Sequence, residues 1–327
     1  MKAQAPGKLI LSGEHSVVYG APALAMAVQE RVEVSFTPAP CSEQLTFLSP
    51  VFAETSIALS SLSGWRMQLD QAYQQFLDGQ LSMSEVLGQP IELLFYILSL
   101  YPPTGGCFTL NSSIPTGAGL GSSAAVIAAM LQCTPARLLE RCAFMQQVRF
   151  CERLQHGRGS LLDAATVTFG GAVKVQNDRV SAVSLPLGSG WCRMDTGRPD
   201  CSTGDVVEQV RLRYAESHIW NEFADLTDQI EQNWLRVDKV IGLIRDNHRL
   251  LQQIGVVPDR VAALIQQIEN LGGAAKVSGA GAHRGDQAGQ VLVFLPEDVS
   301  INTCEAVTGI RPVVLQQSAR GAWCADD

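Results

Sequence analysis

The stretch Ser112-Ser113-Ile114-Pro115-Thr116-Gly117-Ala118-Gly119-Leu120-Gly121-Ser122-Ser123-Ala124-Ala125 constrains this chain more than any other. Before it, Cys107-Phe108-Thr109-Leu110-Asn111 alternates apolar and polar residues as a half-buried strand does, and after it Val126 to Leu131 is apolar and continues a helix. The unit reads as strand, glycine loop, helix. Three glycines at alternate positions let the backbone turn tightly and present its N–H groups, and the helix start adds the positive end of its dipole. Such a loop is an anion cradle suited to a triphosphate. The hydroxyls of Ser122 and Ser123 have two readings, as caps of the helix or as ligands of Mg²⁺ beside the phosphates. No Gly-Lys-Ser/Thr follows, so this is not a Walker A loop, and the glycine spacing departs from the dinucleotide fingerprint G-x-G-x-x-G. A dinucleotide-dependent oxidoreductase is disfavoured on the same ground. A phosphate loop without its own lysine must take a cation from elsewhere in the chain.

With 327 residues the chain is long enough for two domains, each with a core of its own. The turn-prone Pro186-Leu187-Gly188-Ser189-Gly190 marks the best boundary and divides residues 1–186 from 187–327. Glu30 to Phe36 alternates as a strand, Gln290 to Phe294 reads as a more buried one, and residues 203–254 and 259–271 carry helical patterns. No apolar run reaches the ~20 residues that span a bilayer. The N-terminal Met1 to Lys8 lacks the apolar core of a signal peptide, so a cytoplasmic protein without a membrane partner is expected. Nine cysteines without a C-x-x-C pair fit reduced, packing thiols. A formal charge of −8 argues against non-specific nucleic-acid binding, so a few local groups must hold any anionic ligand.

Three side chains outside the loop carry chemistry. Lys8 stands between Gly7 and an apolar strand; it reads either as an exposed strand-end lysine or as the missing cation. Glu152 falls on the helical stripe Leu138, Cys142, Met145, Val148 and so faces inward. A buried carboxylate needs a partner, which is either an arginine or Mg²⁺. Asp163, taken alone, is more often a helix cap than a catalyst.

The string Ala5-Pro6-Gly7-Lys8-Leu9-Ile10-Leu11-Ser12-Gly13-Glu14-His15-Ser16-Val17-Val18-Tyr19-Gly20 resembles the first signature of the galactokinase, homoserine kinase, mevalonate kinase and phosphomevalonate kinase (GHMP) superfamily. The glycine loop resembles the second, and Ala274-Ala275-Lys276-Val277-Ser278-Gly279-Ala280-Gly281 the third. The form G-E-H-x-V-V-x-G is similar to that of mevalonate kinases, whereas phosphomevalonate kinases usually carry tyrosine where His15 stands. Apart from residues 41–105 and the last thirty or so, the resemblance spans the chain.

It implies an α+β fold of two domains, the N-terminal one like ribosomal protein S5 domain 2 and the C-terminal one ferredoxin-like, with the active site in the cleft between them. It implies ATP, cradled by Ser112, Pro115, Gly117, Ala118, Gly119, Leu120, Gly121, Ser122 and Ser123, and Mg²⁺ on Ser123 and Glu152. Lys8 would offset charge on the transferring phosphoryl group and Asp163 would receive a proton from the substrate. Glu14, His15, Thr203 and Gly281 would contact mevalonate, the implied small-molecule partner; a homodimer is compatible with this reading. A non-catalytic ligand sensor of the same fold would be expected to lose Lys8, Glu152 or Asp163, and all three are present. Two departures stand out. Leu161 replaces a glycine two positions before Asp163, and Ala282-His283-Arg284-Gly285 replaces a run of glycines. An arginine has five fixed donors, so Arg284 is expected to approach a phosphate, with plain solvent exposure as the alternative.

Overall fold

The structure, a computed structural model, describes residues 1–115, 117, 119–157 and 161–325. In chain order it runs β1 (Lys2–Ser12), β2 (Ala23–Pro38), β3 (Gln44–Ser49), β4 (Phe52–Ala58), α1 (Leu62–Leu77), α2 (Met83–Val86), α3 (Glu92–Leu100), β5 (Gly106–Ser112), α4 (Ser122–Gln132), α5 (Arg141–His156), α6 (Leu161–Phe169), β6 (Ala172–Gln176) and β7 (Arg179–Val183). There follow β8 (Trp191–Asp195), α7 (Thr203–Tyr214), α8 (Ile219–Asn233), α9 (Val237–Gln253), α10 (Asp259–Asn270), β9 (Ala274–Ser278), β10 (Gln290–Phe294), α11 (Ile301–Thr308), β11 (Val313–Val314) and β12 (Trp323–Cys324). The fold is mixed α and β. No helix among the described residues is long and apolar enough to cross a membrane.

The larger sheet has the order β12, β1, β2, β5, β3, β4, with β6 and β7 added alongside the first part of β2. Residues Ala23 to Val28 of β2 are buried throughout, whereas Val32 to Phe36 alternate inward and outward as a period-two pattern requires. Only β3 and β5 pair parallel among the described strands. Helix α4 is apolar on every side and accordingly lies in the core, against β1 and β2 and between α5 and α6. The smaller sheet is antiparallel, in the order β11, β8, β10, β9, and α9 and α10 pack on β9. Its β10, apolar at four of five positions, is buried along its whole length.

The boundary read from the sequence falls between β7 and β8, and the chain is tightly packed there. Trp191 stacks on Trp234 with ring centroids 4.5 Å apart, and the Trp234 indole N–H donates to the Pro186 carbonyl at 2.9 Å. The core under the larger sheet thereby recruits Trp191, Trp234, Ile244 and Phe294 from the second half, while a separate apolar cluster fills the smaller sheet.

What docks on the exposed edge of β1 decides the rest. Strand β12 covers only Ala3 and Gln4, so the backbone groups further along need other partners. Lys8 N–H donates to the Leu120 carbonyl at 2.9 Å. Ile10 N–H donates to Ser278 Oγ at 2.9 Å, and that hydroxyl donates back to the Ile10 carbonyl at 2.9 Å. The glycine loop and the end of β9 thus meet on one strand edge, beside Lys8.

One expected stripe needs correction. Leu138 and Cys142 do not share the buried face of Glu152: Leu138 is 76% exposed and precedes the helix, and Cys142 is exposed. Helix α5 starts only at Arg141, where the Glu140 carboxylate accepts the Cys142 N–H at 3.0 Å and caps it. From there Met145, Val148 and Glu152 do lie buried on one face. Six of the nine cysteines are buried, in keeping with packing thiols.

Candidate active site

Gly117, Gly119 and Gly121 all adopt positive φ, at 73°, 81° and 68°, a backbone shape that side chains resist. Close contacts add a second reason. A Cβ at Gly121 would come 2.6 Å from Lys8 Cγ, and one at Gly119 would sit 3.4 Å from the Ser278 carbonyl. Gly121 itself is the N-cap of α4, and no side chain caps that helix. Ser122 and Ser123, in the first turn, are therefore not its caps. Ser123 Oγ instead donates to Glu152 Oε1 at 3.3 Å and lies 3.1 Å from His156 Nε2. Ser112 folds the approach to the loop, its Oγ accepting from Ile114 N–H at 3.1 Å. Pro115 is half-buried, and Leu120 is fully buried and anchors the loop. Ala118 lies outside the described residues.

The charged groups converge beside that helix start. Lys8 is only 5% exposed, and its Nζ stands 3.1 Å from Asp163 Oδ1. Asp163 sits in the first turn of α6, where the helix dipole favours an anion. Leu161 and Leu162 just before it are buried, so the residue that replaces the expected glycine fills the core. Glu152 is completely buried, and its Oε2 has no hydrogen-bond partner among the described residues. Burial first, then the negative charge of Asp163, pushes the Glu152 carboxyl well above the usual carboxylate range, against the pull of Lys8 and the Ser123 hydroxyl. Among the described residues no arginine pairs with it.

Glu14, in the turn after β1, has a fully buried side chain whose Oε1 is ion-paired with Lys276 Nζ. His15 is 2% exposed and donates from Nε2 to the Ala280 carbonyl at 2.9 Å; burial holds its pKa below the ordinary value. Both lie where the third signature meets β1. Thr203 is the exposed first residue of α7, and Ser202 with Asp205 forms the capping box of that helix. Gly281 is buried at φ 69°, where a Cβ would come 2.2 Å from the Val256 carbonyl, so close packing alone demands glycine.

Arg284 is exposed, and its Nη2 donates to the Asp200 carbonyl at 3.3 Å, beside the start of α7. A different arginine reaches the glycine loop. The stem of Arg198 passes 3.5 Å from where a Cβ of Gly117 would be, and its guanidinium has no hydrogen-bond or ion-pair partner among the described residues. Sequence reasoning missed Arg198, His156 and Lys276. A lysine in the middle of the apolar strand Ala274 to Ser278 was a usable signal, because a buried lysine requires a partner; Arg198, in a polar turn, offered none.

A glycine loop at a helix start, with a lysine, an aspartate and a buried carboxylate beside it, is an arrangement that can support phosphoryl transfer. Residues 91–171, which include the loop, Glu152 and Asp163, match the family described as GHMP kinases N terminal domain. The mevalonate kinase of Archaeoglobus fulgidus is 31% identical over 289 residues, covering 86% of this chain and 89% of that protein. That of Thermococcus sibiricus is 28% identical, covering 99% and 98%. In three dimensions the crystal structure of the Methanococcus jannaschii mevalonate kinase superposes with a TM-score of 0.77 at 18% identity, over 97% of this chain and 98% of that one. The chain belongs to the mevalonate kinase family.

Proposed function

We propose that this chain transfers the γ-phosphoryl group of ATP to the C5 hydroxyl of mevalonate, giving 5-phosphomevalonate on the mevalonate route to isoprenoids. The observation that carries the reading is the meeting of Lys8, Asp163, Glu152 and Ser123 at the helical end of the glycine loop. In this reading residues 1–186 form the ribosomal protein S5 domain 2-like domain and 187–327 the ferredoxin-like one. The substrates lie between them, in a cytoplasmic enzyme.

Mg²⁺ fits the residues present. Glu152 Oε2 is a buried, unpartnered oxygen with the Ser123 hydroxyl beside it, and hard oxygen donors suit this ion. When bound, Mg²⁺ would offset charge on the phosphate oxygens. The backbone N–H groups from Gly117 to Ser123 hold the phosphates, and Lys8 offsets charge on the group in transit. A carboxylate is too weak a base to deprotonate a resting alcohol. Asp163 therefore first orients the hydroxyl and receives its proton late, once the loose transition state has made it acidic. Glu14 and His15, with Thr203 and Gly281 from the second half, face the substrate's hydroxyls and carboxylate.

An assay of ADP release across mevalonate, phosphomevalonate, galactose and homoserine tests the reading. Mevalonate should be the preferred acceptor, and faster turnover with any of the others would refute it. Arg198, without a partner among the described residues, supplies the second cation that the loop lacks. Arg198→Ala should raise the KM for ATP about tenfold, the loss of one charge-assisted contact, whereas Arg284→Ala should change it less than about twofold. The reverse ranking, in steady-state kinetics, would return the role to Arg284.

A further inference from the structure

Lys276 occupies the middle of β9 and is 0% exposed. An ammonium so placed must be paired, and its partner is Glu14 Oε1, 262 residues away in the chain. Strand β9 pairs with β10 on one side, and through Ser278 it meets the free edge of β1 on the other. The ion pair lies in that seam, one residue from His15 and within the field of Lys8, whose charge, after burial, helps to hold the Lys276 pKa down. The Lys276 ammonium is engaged by Glu14 Oε1, so its effect on a ligand runs through that carboxylate. The Glu14 carboxylate is left with one oxygen engaged and the other, Oε2, buried without a partner among the described residues. An acceptor in that state is costly unless a donor arrives, and a substrate hydroxyl is such a donor.

We infer that Lys276 is a positioning residue: by holding Oε1 of Glu14 it turns Oε2 toward the acceptor substrate, where it receives a hydroxyl hydrogen bond. This rests on the reading that Glu14 faces mevalonate. A lysine buried in the second sheet thereby sets the orientation of a binding group carried by the first. The smaller sheet thus contributes to acceptor recognition without touching the acceptor.

The test compares Glu14→Gln, Lys276→Met and the double variant with the unaltered protein. The readouts are KM for mevalonate, KM for ATP and the urea midpoint. Lys276→Met should raise the mevalonate KM about tenfold or more and leave the ATP KM within about twofold, the loss of roughly one hydrogen bond to a charged group. Once Glu14 is Gln, adding Lys276→Met should change the mevalonate KM less than about twofold, because its effect runs through Glu14. If either single variant, each of which leaves one buried charge unpaired, does not fold, the double variant, which buries no lone charge, is compared with the unaltered protein, and a mevalonate KM raised about tenfold with the ATP KM within about twofold supports the inference. Equal rises in both KM values, or a further tenfold rise in the double variant over Glu14→Gln, would overturn the inference. A folded Glu14→Gln protein with an unchanged mevalonate KM would instead remove the reading of Glu14 on which the inference stands.

Discussion

Asp163→Asn is expected to lower turnover by roughly 10²-fold or more while both substrates still bind, the range typical of losing a general base. A factor of 10² corresponds to about 2.7 kcal/mol of barrier. Asparagine matches aspartate in shape and keeps one oxygen for orienting the hydroxyl, so ground-state binding should survive. What disappears is the site that receives the proton. The substitution also leaves Lys8, only 5% exposed, without the carboxylate 3.1 Å away, and some loss of stability will follow. Kinetics therefore have to be read beside thermal unfolding and direct nucleotide binding. Near-normal turnover in a folded variant would sink the assignment.

The second large effect belongs to Glu152→Gln, and its signature is a mismatch between stability and activity. Glu152 is fully buried with a carboxyl pKa raised well above normal. A carboxyl raised on folding contributes stability below its unfolded pKa, and that contribution is lost as pH rises through the folded value. At neutral pH the fold gains little from this side chain, and an uncharged glutamine that still bonds Ser123 should leave the melting temperature unchanged or higher. Activity should nevertheless fall by about tenfold or more, with a higher Mg²⁺ requirement and partial recovery at high metal. Mg²⁺ titration of turnover, set beside thermal unfolding, decides between the readings. A lower melting temperature with the same metal dependence would make Glu152 a structural residue.

Much of this site is legible in the sequence alone, because its demands are local. Gly117, Gly119 and Gly121 each hold a positive φ that residue type alone announces, and the strand and helix on either side follow from periodicity. The helical patterns over 203–254 and 259–271 likewise became α7 to α10, since spacing along a chain is what fixes an amphipathic face. Leu138 misled for a related reason. Its spacing was helical, but the Glu140 cap starts α5 later than the apolar pattern does.

Choices of partner across the fold were not legible. Arg284 follows Gly281 in sequence, and packing of Gly281 on Val256 is followed by a turn of the chain toward Asp200, whereas Arg198, which no motif marked, lies on the loop. The Ser123 hydroxyl could cap α4 or reach Glu152, and only the docking of α5 beside α4 decided for Glu152. Glu14 and Lys276 are 262 residues apart, and nothing near either one names the other. Backbone shape depends on neighbours in sequence, so the sequence determined the glycine loop by itself. The partner of a buried charge depends on which surfaces exclude water together, and that was decided only when β9 closed on the free edge of β1.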